Sequence, residues 1–174
     1  MLRPAIVTAA VLVSTVQATA TTIEHRLTVR LEPGAGRIEV SDRIIAADPG
    51  ARDLRFVLHA GLAPEVRTPG WRLEAVDGPV DMSFVGINAT TATTGGRVPL
   101  EGFRLVGGAD STTPVEITYA GVIRHELETS GEEYQRSFSE TPGLIGPDGV
   151  FLSGTSYWLP TFGESSRSTR VTSS

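Results

Sequence analysis

The chain has 174 residues, a formal net charge of −5 and no cysteine. Basic and acidic residues are interspersed, so the clustered positive charge of a nucleic-acid-binding protein is missing and no nucleic-acid partner is expected. Without disulfides, the fold must depend on hydrophobic burial. Every basic residue is arginine, which excludes a lysine nucleophile or Schiff base. We expect no stable membrane span.

The amino-terminal segment, residues 1–20, is predicted to be a cleavable signal helix. Arg3 supplies the positive start, and residues 5–16 are apolar, which is too short a stretch to span a bilayer of ~30 Å. Ala18 and Ala20 form the small-x-small pattern that signal peptidase requires, so cleavage is expected after Ala20. The mature protein is therefore expected to be exported, either periplasmic or secreted, in a Gram-negative bacterium.

The remainder, residues 21–174, is predicted to form one all-β domain. Residues 23–31 and 38–44 alternate apolar and polar side chains, and the Pro/Gly turn at 32–36 joins them as a hairpin. Further strands are predicted at residues 54–58, 71–76, 82–87, 98–106 and 115–119. About eight or more short strands, separated by turn residues, indicate an antiparallel β-sandwich or saddle-shaped sheet.

Four other segments are harder to place. Residues 64–70 are predicted to be a Pro/Gly-rich connection, and residues 88–96 an exposed loop rich in Thr and Gly. Residues 125–135 fit either a short helix or an acidic loop. Residues 141–152 predict a long loop followed by a buried strand.

The three histidines are the first candidates for metal binding or catalysis. His25 falls in the apolar phase of its strand, which favours a hydrogen-bonded core histidine. His59 closes a strand and His125 lies among acidic residues, and both are expected to be surface or packing residues. None belongs to a ligand pattern such as H-E-x-x-H, so no metal site is expected, although distant histidines can converge in a fold.

Nucleophilic and acid–base motifs are missing as well. Ser153 lacks the first glycine of a G-x-S-x-G elbow, and Glu132 and Glu133 are typical of a solvated acidic loop. The glycine pairs at 95–96 and 107–108 are not followed by the helix of a phosphate-binding loop. The sequence therefore predicts no catalytic residue, no metal ligand and no cofactor within this chain.

An aromatic cluster near the end of the chain is the remaining candidate site. Tyr157, Trp158 and Phe162 surround Pro160 within six positions. This pattern fits a core plug where a loop crosses the end of a sandwich. It also fits a platform for carbohydrate stacking, or a contact surface for a following domain.

Four segments, residues 23–33, 119–123, 141–152 and 158–160, follow one another in a characteristic order and spacing. In this order they resemble the amino-terminal domain of bacterial exported M1-family (gluzincin) aminopeptidases, and the resemblance extends over roughly 23 to 170. Residues 159–164 are similar to the family's F-P-x-F-D-E-P corner. The chain departs from it with Gly163 in place of the aspartate and Ser165 in place of the second proline, and 151–156 hold neither Gln nor Glu to anchor a substrate amine.

The resemblance implies a β-saddle that packs on a following catalytic domain of the same polypeptide and walls its substrate cleft, where it could meet a peptide substrate. The zinc and the H-E-x-x-H motif belong to that domain, so this chain would be inactive alone. The polar tail at 164–174 starts to alternate again, which predicts a carboxy-terminally truncated domain. The alternatives are a freestanding periplasmic β-sandwich module that binds carbohydrate or peptide, and a metal-free scaffold derived from the family.

Overall fold

The computed structural model describes most of residues 22–173. The described residues are 22–78, 98–125, 128–130, 138–163 and 171–173. The predicted signal peptide, the predicted strand at 82–87 and the predicted loop at 88–96 lie outside them. Within the described part, helical structure is limited to two 3₁₀ turns, and no helix there is long and apolar enough to cross a membrane.

The hairpin predicted at the start of the mature chain is present. Strand β1 (Ile23–Glu32) pairs antiparallel with β2 (Arg37–Ala46) along its whole length. A 3₁₀ turn, Pro33–Ala35, connects them, and Gly36 then adopts a φ of 65°. A left-handed backbone is strained for most side chains, so the glycine allows the chain to reverse here.

Eleven more strands follow in the described residues. They are β3 (Asp53–His59), β4 (Leu62–Val66), β5 (Trp71–Val76), β6 (Leu100–Gly107), β7 (Val115–Val122), β8 (Glu128–Ser130), β9 (Phe138–Glu140), β10 (Gly143–Gly146), β11 (Gly149–Leu152), β12 (Thr161–Phe162) and β13 (Val171–Ser173). The second 3₁₀ turn is Gly154–Ser156. The prediction of an all-β, predominantly antiparallel sandwich is confirmed.

One sheet has five strands in the order β13, β1, β2, β7 and β4, and its pairs are antiparallel except for β1 with β13. The predicted connection at 64–70 is wrong at its start, because β4 continues to Val66 and Pro64 lies opposite Tyr119. Proline lacks an N–H and is tolerated in a strand that pairs on one side only. Among the described strands, β4 is such an edge strand.

The second sheet has four strands, in the order β12, β3, β6 and β5, and the core lies between the two sheets. Phe56 of β3 stacks on Phe103 of β6 with ring centroids 5.4 Å apart. Phe162 of β12 joins the two sheets, since its ring lies 5.5 Å from Phe56 and 5.6 Å from His25 of β1.

Two small hairpins correct the prediction for the last third of the chain. Residues 141–152 do not form a long loop and a buried strand; β10 and β11 pair as a hairpin, and β11 is mostly exposed. In the segment expected to be a helix or an acidic loop, residues 128–130 form β8, which pairs with β9. Local sequence could not show these pairings, because a three- or four-residue strand is too short for a clear alternation.

Candidate functional site

The aromatic cluster is largely incorporated into the protein interior. Tyr157 and Phe162 are 6% and 8% exposed, and Pro160 is buried. Trp158 is half-buried and packs against the core. Tyr157 has a left-handed backbone, and its carbonyl oxygen accepts the N–H of His59 at 2.9 Å. Trp158 is thus the one ring of the three with an appreciable exposed surface, and a role in stacking or domain contact stays a prediction.

Two of the three histidines converge although 66 residues separate them. His59 ends β3 and is buried, and His125 follows β7 and is half-buried. Their Nε2 atoms lie 3.0 Å apart, with the rings edge to face. His59 is therefore a packing residue, and its partner is another imidazole.

The direction of this hydrogen bond follows from a backbone contact. The N–H of Gly61 donates to Nδ1 of His59 at 2.8 Å. Because a backbone N–H can only donate, Nδ1 of His59 accepts and carries no proton. A neutral His59 consequently holds its proton on Nε2 and donates it to Nε2 of His125, whose own proton then lies on Nδ1.

The pair fits a hydrogen bond better than a metal ion. A metal-bound histidine donates its second ring N–H to an acceptor, whereas the second nitrogen of His59 faces the N–H of Gly61. Among the described residues, no three His, Cys, Asp or Glu side chains form a group that could hold a metal. His59 and His125 therefore do not fit a zinc site, and we assign no zinc-dependent step to them.

The surroundings of His59 favour its neutral form. Burial lowers the pKa of His59 below its ordinary value of 6.5, and a positive charge on His125 lowers that pKa further. Desolvation penalises the charged imidazole, and two imidazolium rings at this distance would repel.

A second polar group lies in the core on the inner face of the five-stranded sheet. Nδ1 of His25 in β1 lies 2.7 Å from Oδ2 of Asp42 in β2, and both side chains have no solvent exposure. The pKa of Asp42 is raised, because the effect of burial is larger than the opposing effects of the hydrogen bond from His25 and of the charge of His25. Burial, and secondarily the charge of Asp42, also raises the pKa of Tyr119 in β7. These three residues form the buried polar cluster.

The buried polar cluster is incompletely hydrogen-bonded within the described residues. His25 Nε2, Asp42 Oδ1 and the Tyr119 hydroxyl have no partner there. Because the cluster has almost no access to solvent, it cannot present a nucleophile or a base to a substrate.

Sequence reasoning identified His25 as a core histidine but missed Asp42. The signal was available, since Asp42 lies between Val40 and Ile44 in the inward phase of β2. A carboxylate in an apolar register, next to a strand with a histidine in the same phase, indicates a buried ion pair.

The outer face of the same sheet has a groove of about 390 Å³. We call it the polar groove after the hydroxyl and charged side chains among its lining residues, although alanine and other apolar groups also line it. Thr28, Ser41, Thr118 and Glu65 lie opposite one another across four neighbouring strands. Arg67 donates to the Thr118 hydroxyl at 2.9 Å, which holds one wall of the groove. Hydroxyl groups in its centre and charged side chains at its rim give this groove hydrogen-bonding capacity without a reactive group.

The fold and these sites define an all-β, two-sheet protein with a polar outer groove and no recognisable catalytic constellation among the described residues. Searches with protein-family profiles, curated proteins and solved structures found no match to the chain.

Proposed function

We propose that the chain is a non-catalytic β-domain of an exported M1-like zinc aminopeptidase, which packs on the catalytic domain and walls its substrate cleft. The observation that carries this proposal is an apolar end of the five-stranded sheet that the described residues leave exposed. Large apolar side chains that stay exposed near one end of a folded domain are suited to an interface with another protein or domain.

The first part of this end lies on the inner face of β1. Ile23 and Leu27 are 1% and 4% exposed, but Val29 and Leu31 in the same phase are 40% and 39% exposed. The inward face of β1 thus continues beyond the core that covers its first half. Residues that face inward in phase but remain uncovered are suited to packing against a further layer.

The second part is the β10–β11 hairpin, which lies beside the β1–β2 turn. The N–H of Ile145 in β10 donates to the carbonyl of Ile123, just after β7, at 3.0 Å. The N–H of Ile123 donates to the carbonyl of Gly36 in the turn at 3.3 Å. The outer strand of this hairpin exposes Val150 and Phe151, which are 41% and 54% exposed. We call Val29, Leu31, Val150 and Phe151 the apolar end.

Burial of these side chains would contribute to docking. Complete burial of a Val, Leu or Phe side chain contributes roughly 1.5–3 kcal/mol, and part of that gain is available at each half-exposed position. The chemistry would reside in the catalytic domain, where zinc activates water, and this chain would contribute shape and contact area.

A first experiment is to sequence the coding region beyond codon 174 in the same frame. A frame that continues into an H-E-x-x-H motif within a few hundred codons would support the proposal. A stop codon followed by an unrelated gene would contradict the assignment to one polypeptide.

If that motif is found, the downstream domain can be produced separately and its binding to this chain measured by calorimetry. Leu31→Asp and Phe151→Asp should each weaken binding at least tenfold, because each places a charge in the interface. Val76→Asp is the matched control, since Val76 is 50% exposed but lies on β5 of the other sheet. Equal effects of the three variants would contradict docking through the apolar end.

The polar groove favours a second candidate, a freestanding binding module for carbohydrate or peptide. Its row of hydroxyls and its rim of Arg and Glu side chains can hydrogen-bond sugar hydroxyls or a peptide backbone. A panel of oligosaccharides and short peptides, followed by amide chemical shifts, tests it. Shifts confined to Thr28, Ser41 and Thr118 would support the groove, and shifts centred on Trp158 would favour stacking on the aromatic cluster.

A further inference from the structure

We propose that His59 and His125 form a pH-sensitive clamp, which holds its two hydrogen bonds together only when both rings are neutral and loses one of them to a single proton. The clamp joins the turn between β3 and β4 to the segment between β7 and β10. This proposal rests on the geometry of the two rings and of Gly61, and it does not depend on the function proposed above.

The neutral arrangement satisfies both contacts of His59. Its Nδ1 accepts from Gly61 and its Nε2–H donates to His125. Both contacts are within normal hydrogen-bond distance, at 2.8 Å and 3.0 Å. One chain of donors and acceptors therefore runs from the Gly61 amide through both rings.

Every way of adding one proton breaks this chain. A proton on Nδ1 of His59 would face the N–H of Gly61, so donor would meet donor. A proton on Nε2 of His125 would face the N–H on Nε2 of His59. Moving the His59 proton to Nδ1 relieves the second conflict only by creating the first. A protonated pair can therefore keep one of the two contacts but not both.

The clamp joins the β3–β4 turn to the segment after β7, close to the pairing of Leu62 with Gly121. On one side, the N–H of His59 donates to the carbonyl of Tyr157 at 2.9 Å. On the other side, the N–H of His125 donates to Gly143 at 2.9 Å, and the Thr141 hydroxyl donates to the carbonyl of His125 at 3.1 Å. Opening the clamp would therefore loosen the β3–β4 turn relative to the start of β10.

The neighbouring ionisable groups do not offset the added charge. Tyr157 lies against His59, and burial raises the pKa of its hydroxyl, so it stays neutral. Arg124 precedes His125 and is exposed, and Glu101 lies on β6 opposite Leu58, also exposed. Of these groups and the rest of the described chain, His125 is the one whose charge acts on the pKa of His59.

The direction of the pH effect follows from the lowered pKa. His59 in the closed clamp binds a proton less readily than a free histidine, so its contribution to closure is fully present above the ordinary pKa of 6.5. As the pH falls below that value towards the lowered pKa, the opening equilibrium should grow by about tenfold per pH unit for one proton.

The test is histidine-selective ¹H–¹⁵N NMR on the wild-type protein at neutral pH, with amide exchange of Gly61 from pH 7.5 to pH 5. We expect His59 protonated on Nε2, His125 protonated on Nδ1, and a Gly61 protection factor that falls about tenfold per pH unit below 6.5. The amide of Val40 in central strand β2 is the internal reference and should lose less protection.

Two substitutions at His125 distinguish the effect of protonation from the effect of losing the hydrogen bond between the two side chains. His125→Gln keeps an acceptor for His59 but removes the second ring and its charge. Gly61 should therefore stay protected at pH 7 and lose part of its pH dependence, because burial still lowers the pKa of His59. His125→Leu removes the acceptor and should lower that protection at every pH. A proton on Nδ1 of His59, an unchanged pH profile in His125→Gln, or tight stoichiometric binding of Zn²⁺ alone by both rings would each overturn the clamp.

Discussion

Nδ1 of His25 and Oδ2 of Asp42 lie 2.7 Å apart, and neither side chain is exposed to solvent. They come from neighbouring strands, β1 and β2, and both occupy the apolar phase of their strand. An ionisable pair in this position costs desolvation energy that its mutual attraction only partly offsets. The pair therefore constrains the core, because neither member can lose the other without leaving a buried polar group unmatched.

Removal of one member should be severely destabilising. Asp42→Ala leaves Nδ1 of His25 without its partner in a closed core, and we expect the free energy of unfolding to fall by about 3–5 kcal/mol. Denaturation with guanidinium chloride at pH 7, followed by circular dichroism, measures this loss.

The double variant His25→Leu with Asp42→Leu is the control for that interpretation. It removes both polar groups and fills their volume with apolar atoms, so it should be less destabilised than Asp42→Ala. A double variant that is as unstable as the single one would indicate that packing, not the unmatched polar group, dominates the loss.

Asp42 should also give stability an unusual pH dependence. Burial raises its pKa above the ordinary 3.8, so the folded protein holds this proton more tightly than the unfolded chain does. The contribution of Asp42 to stability must therefore fall as the pH rises from about 3.8 to the raised pKa. The stability of the wild type minus that of Asp42→Asn should decrease over this interval in a series of denaturation curves.

Asp53 provides a control of opposite sign. A hydrogen bond from Arg104 lowers the pKa of Asp53, which lies on the surface. Its contribution is present above pH 3.8 and is lost as the pH falls through the lowered pKa. The stability of the wild type minus that of Asp53→Asn should therefore rise with pH, and by a smaller amount, because the pair is exposed to solvent. Equal slopes for Asp42→Asn and Asp53→Asn would contradict the assignment of the raised pKa.

The sequence predicted those elements whose pattern is local. The β1–β2 hairpin has two long alternating strands and a Pro/Gly turn, so period and turn chemistry agree. β4 was missed because Pro64 argues against a strand unless that strand lies at an edge, and edge position is a property of the whole sheet.

The sites were less predictable than the strands. The meeting of His59 with His125 depends on how β3 and β7 are placed in different sheets, and nothing near either histidine in sequence indicates it. The direction of their hydrogen bond depends on one further atom, the amide of Gly61. Such contacts arise from non-local packing, which a single sequence does not display.

Mutation can distinguish Phe162, an aromatic residue of the core, from Phe151, an aromatic residue of the surface. Phe162 is 8% exposed and touches both Phe56 and His25, so Phe162→Ala should lower the free energy of unfolding by about 3–5 kcal/mol. Phe151, at 54% exposed, should tolerate alanine with a change within about 0.5 kcal/mol. Thermal unfolding of both variants measures these two changes in the free energy of unfolding. A mild effect of Phe162→Ala would contradict the position of Phe162 between the two sheets.

At Gly121 the five-stranded sheet leaves no room for a Cβ atom. It pairs with Ile38 on one side and Leu62 on the other, and a Cβ at Gly121 would collide with the backbone carbonyl of Gly61. Gly121→Ala should therefore force β4 away from β7 and lower the free energy of unfolding by about 1–3 kcal/mol. Gly34→Ala is the matched control, because a Cβ there meets no atom within 4 Å. If both variants unfold at the same denaturant concentration as the wild type, β4 does not pack against β7 as closely as the structure has it.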